Sequence, residues 1–371
     1  MRVGIDCRVL MSWGAGVRNY VSNLVDALAR IDHENEYVLY YNYFLSHGWK
    51  PFVPSGGNFR LGRNPIPLSL YRSLRYFIPP WFFTGVIDVF HAPAFFFDDY
   101  VVSKAPPVVI TIHDLGYERF PNTQTPDFID NYRRELASAI DYAEAVITIS
   151  NSTAMDVAEL YPQAEDKIIT IYLAVEERFF NVRETPPFDF PYFLFVSTIE
   201  PRKNVEFLLR VYSKVLHECK APHKLVLVGA QGRLSGPIYK TVERLHLKDD
   251  IVFTGSVHAE SLPAYYGNAT LFLFPSLYEG FGLPPVEAQA AGIPVLASDV
   301  SSLPEVLGEG AILLPPDDAD AWAEAVTGLL SNDERRAALA EMGRENARRF
   351  SWSKTARETR DVYRLVGERS G

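Results

Sequence analysis

The chain has 371 residues, 47% hydrophobic and 22% charged, with a formal net charge of −10. That is an ordinary globular balance, long enough for two domains with separate cores, and its acidity excludes a protein that wraps nucleic acid along its whole surface. The two cysteines, Cys7 and Cys219, lie far apart and outside any CxxC spacing, which excludes a disulfide framework or zinc site and fits a reducing compartment.

Residues 2–7 read as a strand rather than a signal peptide, because no apolar run of roughly 7–15 residues stands at the N-terminus. The periodicity of 17–30 (VRNYVSNLVDALAR) predicts an amphipathic helix. Strands follow at 37–41 and 107–112, then a helix at 127–143, a strand at 145–149 and a helix for which Ser150 is the N-cap. Residues 76–97 are the nearest thing to a membrane span, but Pro79, Pro80, Asp88, His91 and Pro93 interrupt them and exclude a spanning helix. Pro186, Pro187 and Pro191 break the rhythm over 172–191, which reads as an interdomain linker. The rhythm then restarts, with strands at 192–197, 225–228, 251–253, 271–274 and 294–297, a helix at 205–216, and helices at 319–349 and 352–366.

This alternation predicts two α/β units with parallel sheets covered by helices. The expected boundaries are 1–175, a linker at 176–190, a second domain at 191–350 and a last helix at 351–371. Open sheets of this kind bind ligands beyond the carboxyl ends of their strands, and a cleft where two such domains face one another is the expected site.

Residues 275–292 (PSLYEGFGLPPVEAQAAG) hold the strongest signal. Glu279 lies in a Gly-rich turn, Pro284 and Pro285 open a helix, and Glu287 is expected in its first turn. Gly280 and Gly282 allow backbone to approach a ligand. Carboxylates beside a helix N-terminus are expected to be ionised, and ionised carboxylates are the acceptors that sugar and ribose hydroxyls need. A second group, Ser197-Thr198-Ile199-Glu200-Pro201-Arg202-Lys203-Asn204, leads from a strand into a helix. Two cations at that end oppose the helix dipole unless an anion such as a diphosphate lies between them and the free N–H groups. Gly14-Ala15-Gly16 precedes the first helix as an incomplete glycine fingerprint, His113-Asp114 follows the strand at 107–112, and Thr254-Gly255-Ser256-Val257-His258 follows that at 251–253.

Glu279 and Glu287, eight positions apart, resemble the E-x7-E motif of the retaining GT-B glycosyltransferases of family four, and the similarity extends through most of the chain. The resemblance implies two Rossmann-like domains facing across a cleft, with the last helix crossing back to the first. It gives Arg202 and Lys203 the diphosphate, Glu279 and backbone near Phe281 and Gly282 the transferred sugar, and Glu287 the ribose. Val257 is expected beside the nucleotide base, Gly16 beside the phosphates and acceptor, and His113 at the sugar hydroxyls. Where many relatives have an arginine just after the strand, this chain has Ser197 and Thr198, which puts more of the load on Arg202. The PRKN and GFGLPPVEA blocks look like those of bacterial mannosyltransferases that build O-antigen and other surface polysaccharides.

The expected donor is therefore GDP-mannose, with UDP- or other NDP-sugars as alternatives. The expected acceptor is a glycan or lipid-diphosphate. No metal or other cofactor is expected, because basic residues replace the cation and the pairs Asp98-Asp99 and Asp317-Asp318 lack supporting ligands. Residues 37–87 contain no Asp or Glu but include Lys50, Arg60, Arg63, Arg72 and Arg75 among many aromatics. That suits a peripheral contact through 50–83 with the inner face of a membrane, from the cytoplasmic side, or a lipid-diphosphate acceptor; a packed helix with solvated arginines is the other reading. A sugar-nucleotide epimerase and a non-catalytic sugar-nucleotide binding protein remain the rival functions.

Overall fold

The protein is described by a computed structural model that covers residues 1–11, 15–42, 50–74, 77–93, 106–121, 125–182, 185–219, 222–232 and 235–370. The chain divides into two compact units, Met1–Leu173 with Trp352–Gly371, and Ala174–Ser351.

The first unit runs β1 (Arg2–Asp6), α1 (Ala15–Ile31), β2 (Glu36–Asn42), β3 (Phe59–Asn64), α2 (Leu68–Leu74), β4 (Val89–Ala92), β5 (Val108–Ile112), α3 (Gly116–Arg119), α4 (Pro126–Tyr142), β6 (Ala143–Thr148), α5 (Asn151–Leu160) and β7 (Ile168–Thr170). Its sheet has the order β3-β2-β1-β4-β5-β6-β7, and the pairings are parallel. Strands β4 and β5 are buried at every residue, as a sheet covered on both faces requires. Val38, Phe90, Ile110, Leu136 and Ile140 share one core, and each buried side chain of this kind contributes roughly 1.5–3 kcal/mol. Ser150 caps α5 as expected, its hydroxyl accepting from the Thr153 N–H at 3.0 Å.

The second unit runs β8 (Tyr192–Val196), α6 (Val205–Cys219), β9 (Lys224–Val228), α7 (Gly236–Arg244), β10 (Ile251–Gly255), α8 (Leu262–Gly267), β11 (Leu271–Phe274), α9 (Leu283–Ala290), β12 (Val295–Ser298), α10 (Leu303–Leu307), β13 (Ala311–Leu314), α11 (Ala319–Leu330) and α12 (Asp333–Ala347). Its parallel sheet has the order β10-β9-β8-β11-β12-β13. The described part of 176–190, read above as linker, is grouped with this unit; Phe179 is fully buried with its ring 5.6 Å from that of Tyr266. The last helix, α13 (Trp352–Ser370), belongs to the first unit, where it packs on α1 and Thr355 donates to the Tyr172 carbonyl at 2.8 Å.

Some elements differ from the sequence reading. The stretch 319–349 is two helices, because the Asn332 side chain accepts from the Arg335 N–H and starts α12 afresh. Asp318 caps α11 in the same way, which gives this half of the Asp317-Asp318 pair a structural task. Asp98-Asp99 lies outside the described residues. Strand β4 sits inside the aromatic stretch 76–97, too short for its period to show.

In both sheets the strand order reverses direction at one point, between β1 and β4 in the first and between β8 and β11 in the second. Loops leaving the carboxyl ends of those strands splay apart there and open a ligand crevice. The loops after β8 and β11 carry Arg202, Lys203 and Glu279.

Candidate active site

Proline fixes the first turn of the loop after β8. Pro201–Lys203 form a single tight turn, Asn204 takes a left-handed conformation (φ 57°), and α6 begins at Val205. The Asn204 amide donates to the Pro316 carbonyl at 2.8 Å, anchoring the turn to the segment after β13. The turn is stitched to the loop after β11, since the Leu277 N–H donates to the Arg202 carbonyl at 2.9 Å and Arg202 Nη1 donates to the Tyr278 carbonyl at 2.8 Å. Arg202 Nη2 also lies 3.2 Å from Glu200 Oε1.

The stitched loops bring three of the expected residues together. Lys203 Nζ donates to Glu279 Oε1 at 2.5 Å, and Arg202 Nη1 is 4.0 Å from Glu279 Oε2. The Lys203 side chain is only 9% exposed and its ammonium lies 5.7 Å from the centroid of the Phe274 ring. Glu279 is held on every side: its carboxylate also accepts from Ser276 Oγ at 2.7 Å, its N–H donates to Ser301 Oγ at 2.9 Å, and its carbonyl accepts from Ser302 Oγ at 2.9 Å. Ser301 adopts φ 49°, an unusual conformation for a residue with a side chain. A buried ion pair costs desolvation that only good geometry and further hydrogen bonds offset; Ser276 supplies such a bond to the carboxylate, while Ser301 and Ser302 fix the Glu279 backbone. Sequence reading missed all three serines. Ser276 is three residues before Glu279 in the motif block, but Ser301 and Ser302 arrive from the loop after β12, far along the chain.

The start of α9 departs from expectation. Gly282 is the N-cap at φ 93°, and a Cβ there would stand 2.7 Å from Leu303 Cδ2, so both conformation and space require glycine. Helix α9 opens at Leu283, which places Glu287 in the second turn rather than the first. Pro284 and Pro285 have no N–H, so this helix end offers fewer donors than a usual one. Positive charge at the site therefore comes mainly from Arg202 and Lys203. The Phe281 side chain points inward, 2% exposed and 5.3 Å edge-on from Phe350, and so belongs to the core.

Glu287 is harder to ionise than its expected role as an acceptor suggested. Burial pushes its pKa up to about 7; the hydrogen bond from the Tyr266 hydroxyl (2.8 Å) pulls it down, Glu176 pushes it up and Arg178 pulls it down. Tyr266 is fully buried on α8 and was not visible as a partner in the sequence. Val257 is half-buried just past β10, where Gly255 turns the chain at φ 68°.

The remaining expected residues lie in the first unit. His113 follows β5; its Nε2 is 2.7 Å from the Pro93 carbonyl, and the Tyr20 ring meets its ring edge-to-face at 4.9 Å. Burial holds its pKa below the usual histidine value, against the pull of the Pro93 carbonyl and Asp114. A neutral ring that donates from Nε2 keeps Nδ1 as an acceptor. Asp114 accepts from the Gly116 N–H at 2.8 Å and so shapes the turn into α3. Gly16 is the second residue of α1, exposed and with open space around it, not part of a preceding turn; Gly14 lies outside the described residues. Among the described residues no cluster of three His, Cys, Asp or Glu is placed to hold a metal ion.

Two doubly wound parallel α/β units, the second with a Lys-Arg-Glu cluster at its strand switch point, give the chain the two-domain GT-B fold. Residues 177–346 match the family described as Glycosyl transferases group 1, and residues 14–179 match Glycosyltransferase Family 4. Over 318 residues the chain is 30% identical to the O-antigen chain mannosyltransferase B of Escherichia coli, covering 82% of each. It is 31% identical over 293 residues to the serotype-specific mannosyltransferase WbdA of Escherichia coli; the match takes in 72% of this chain and 36% of that longer protein. The solved sucrose-phosphate synthase of Thermosynechococcus elongatus shares the fold, with a TM-score of 0.79 over 99% of each chain at 22% identity. The chain belongs to the group 1, family 4 glycosyltransferases, and it is a glycosyltransferase.

The raised pKa of Glu287 sets a test of its surroundings. Its folded-state value lies above the unfolded one, so the stability it contributes is full below about pH 4.5 and is lost as pH rises through about 7. Gln in its place stays neutral. Glu287→Gln is expected to raise Tm relative to wild type more at about pH 8 than at about pH 5. An equal difference at both values would mean that the carboxyl is not desolvated.

Proposed function

We propose that the chain transfers mannose from GDP-mannose, with retention of anomeric configuration, to a glycan or lipid-diphosphate-linked acceptor in surface-polysaccharide synthesis. The observation that carries the reading is the Arg202, Lys203 and Glu279 cluster at the switch point of the second sheet. The mannose and the polysaccharide come from the names of the relatives, the O-antigen mannosyltransferase B and WbdA.

In this reading the donor diphosphate takes Lys203 and Arg202 as its counter-charges. Negative charge that builds on the leaving nucleoside diphosphate meets a fixed positive pair in a site largely removed from water, the setting in which such stabilisation is strongest. The arriving diphosphate competes with Glu279 for Lys203, and the released carboxylate accepts from hydroxyls of the transferred sugar. Glu287 takes the ribose hydroxyls, Val257 the base, and backbone at Phe281 and Gly282 the sugar. In the first unit His113 offers Nδ1 and its backbone to the sugar, and Gly16 offers its N–H at the start of α1. The basic pair supplies the charge that a metal would, so the reaction needs no divalent cation.

The segment 50–83 supports a peripheral membrane contact. Phe77 and Phe82 are 79% and 70% exposed and Leu70 is also open, whereas Tyr71, Trp81 and Phe83 pack inward. Arg60 is tied to Glu36 at 2.5 Å, while Lys50 is exposed. Arg75 and Tyr76 lie outside the described residues. Among the described residues no helix is long and apolar enough to cross a membrane, and the proposed location is the cytoplasmic face.

Thermal denaturation with GDP, UDP, dTDP or ADP, each with and without its sugar, tests the donor. GDP and GDP-mannose are expected to raise Tm, since a ligand at 100 times its Kd stabilises by about 2.7 kcal/mol. A shift with UDP alone would replace the donor, and no shift at all in folded protein would favour a silent module. For the membrane contact, co-sedimentation with anionic phosphatidylglycerol vesicles is expected to fall several-fold in a Phe77→Ser, Phe82→Ser variant; equal sedimentation of variant and wild type would remove this surface from the proposal.

A further inference from the structure

One chain of fully buried polar groups in the first unit runs from the last helix to the ring of His113. Tyr363 on α13 places its hydroxyl 2.6 Å from His91 Nδ1 on β4. His91 Nε2 is 2.9 Å from Thr111 Oγ1 on β5, and Thr111 Oγ1 is 3.3 Å from the Tyr20 hydroxyl on α1. The Tyr20 ring then meets the His113 ring edge-to-face, and Trp352 at the start of α13 lies 6.2 Å from the same tyrosine. Tyr363, His91 and Thr111 are fully buried, and Tyr20 is nearly so.

Such a chain is an expensive way to fill a core. Each polar group gives up water, and each must find its partner or cost more than an apolar side chain of the same size would. Burial pushes the His91 pKa down to about 3, so its ring is neutral, with one N–H and one lone pair. Both ring nitrogens are satisfied only when the hydroxyls of Tyr363 and Thr111 take complementary donor and acceptor roles. The groups therefore fix one another in sequence, and the last fixed element is the ring packed against His113. With Nε2 tied to the Pro93 carbonyl, that ring contact sets the remaining angle, the direction in which Nδ1 points.

We infer that Tyr363, His91, Thr111 and Tyr20 form a positioning relay through which the last helix holds the His113 imidazole in its working orientation. The inference rests on the reading of His113 given above. It makes α13 part of the reaction machinery: Tyr363 touches no substrate and acts through a residue that does.

The relay predicts that removing one hydroxyl at its far end is felt at His113. The variants are Tyr363→Phe and Tyr20→Phe, which keep the rings and lose only oxygen. The first readout is the His113 titration followed by imidazole NMR, with Asp114 and His91 as the neighbouring titratable groups. In both variants the His113 midpoint is expected to move up toward the ordinary histidine value as the ring loosens. An unchanged midpoint in Tyr363→Phe overturns the relay, and Tyr20→Phe keeps the question open to measurement should Tyr363→Phe fold poorly. The second readout is GDP release from GDP-mannose at saturating donor. Tyr363→Phe is expected to lower kcat about tenfold with little change in KM, because small misplacement of a reacting group is costly, and to cause no further loss in a His113→Ala background. An equal loss in both backgrounds would show a general structural effect and overturn the relay. Wild-type turnover by His113→Ala would sink the functional reading of His113 instead, while the titration would still decide the relay.

Discussion

The buried contact between Lys203 and Glu279 is the constraint around which the second unit is arranged. Two opposite charges taken out of water must be held at close range and given further hydrogen bonds, or the pair costs more than it returns. The chain meets this with parts from three places: the turn after β8, the loop after β11 with Ser276, and the two serines after β12. With its side chain, N–H and carbonyl all bonded, Glu279 is held in place, so any ligand that takes Lys203 away from it meets a preformed acceptor. In the proposed chemistry the pair that joins the two loops becomes a diphosphate grip and a sugar grip.

The fold explains why these parts meet. A parallel sheet that grows outward from β8 in both directions sends the loops after β8 and β11 to opposite faces, leaving room between them at the carboxyl edge. The first sheet does the same between β1 and β4, and His113, just past the neighbouring β5, ties its ring to the end of β4 through the Pro93 carbonyl. The two units thus use one architectural rule with different side chains. In the second the rule assembles charge; in the first it assembles a neutral imidazole backed by hydroxyls.

Much of this was legible in the sequence, for local reasons. Alternating periods over 17–30 and 205–216, with short apolar runs between such helices, announced two parallel α/β units, and Ser150 announced its own helix. The E-x7-E block and PRKN marked the two loops of the site. What failed was whatever depends on distant partners. Strand β3 lies in the 37–87 stretch, for which a packed helix was one reading, and β4 has only four residues inside the interrupted apolar stretch 76–97. The raised pKa of Glu287 was not legible because the burial that raises it, and the Tyr266 hydroxyl that partly opposes that rise, come from other elements. Ser301 and Ser302 carry no motif at all, and the chain from Tyr363 to Tyr20 joins residues hundreds of positions apart.

The central claim is that Glu279 competes with the donor diphosphate for Lys203 and itself binds the sugar. Calorimetric titration of wild type and Glu279→Gln with GDP and with GDP-mannose addresses it most directly. The account predicts that Glu279→Gln binds GDP as tightly as wild type or more so, since Lys203 is freed, while losing the extra affinity that mannose confers, on the order of 1–3 kcal/mol for a charged acceptor. A variant that loses affinity for GDP itself while keeping the mannose increment would contradict it.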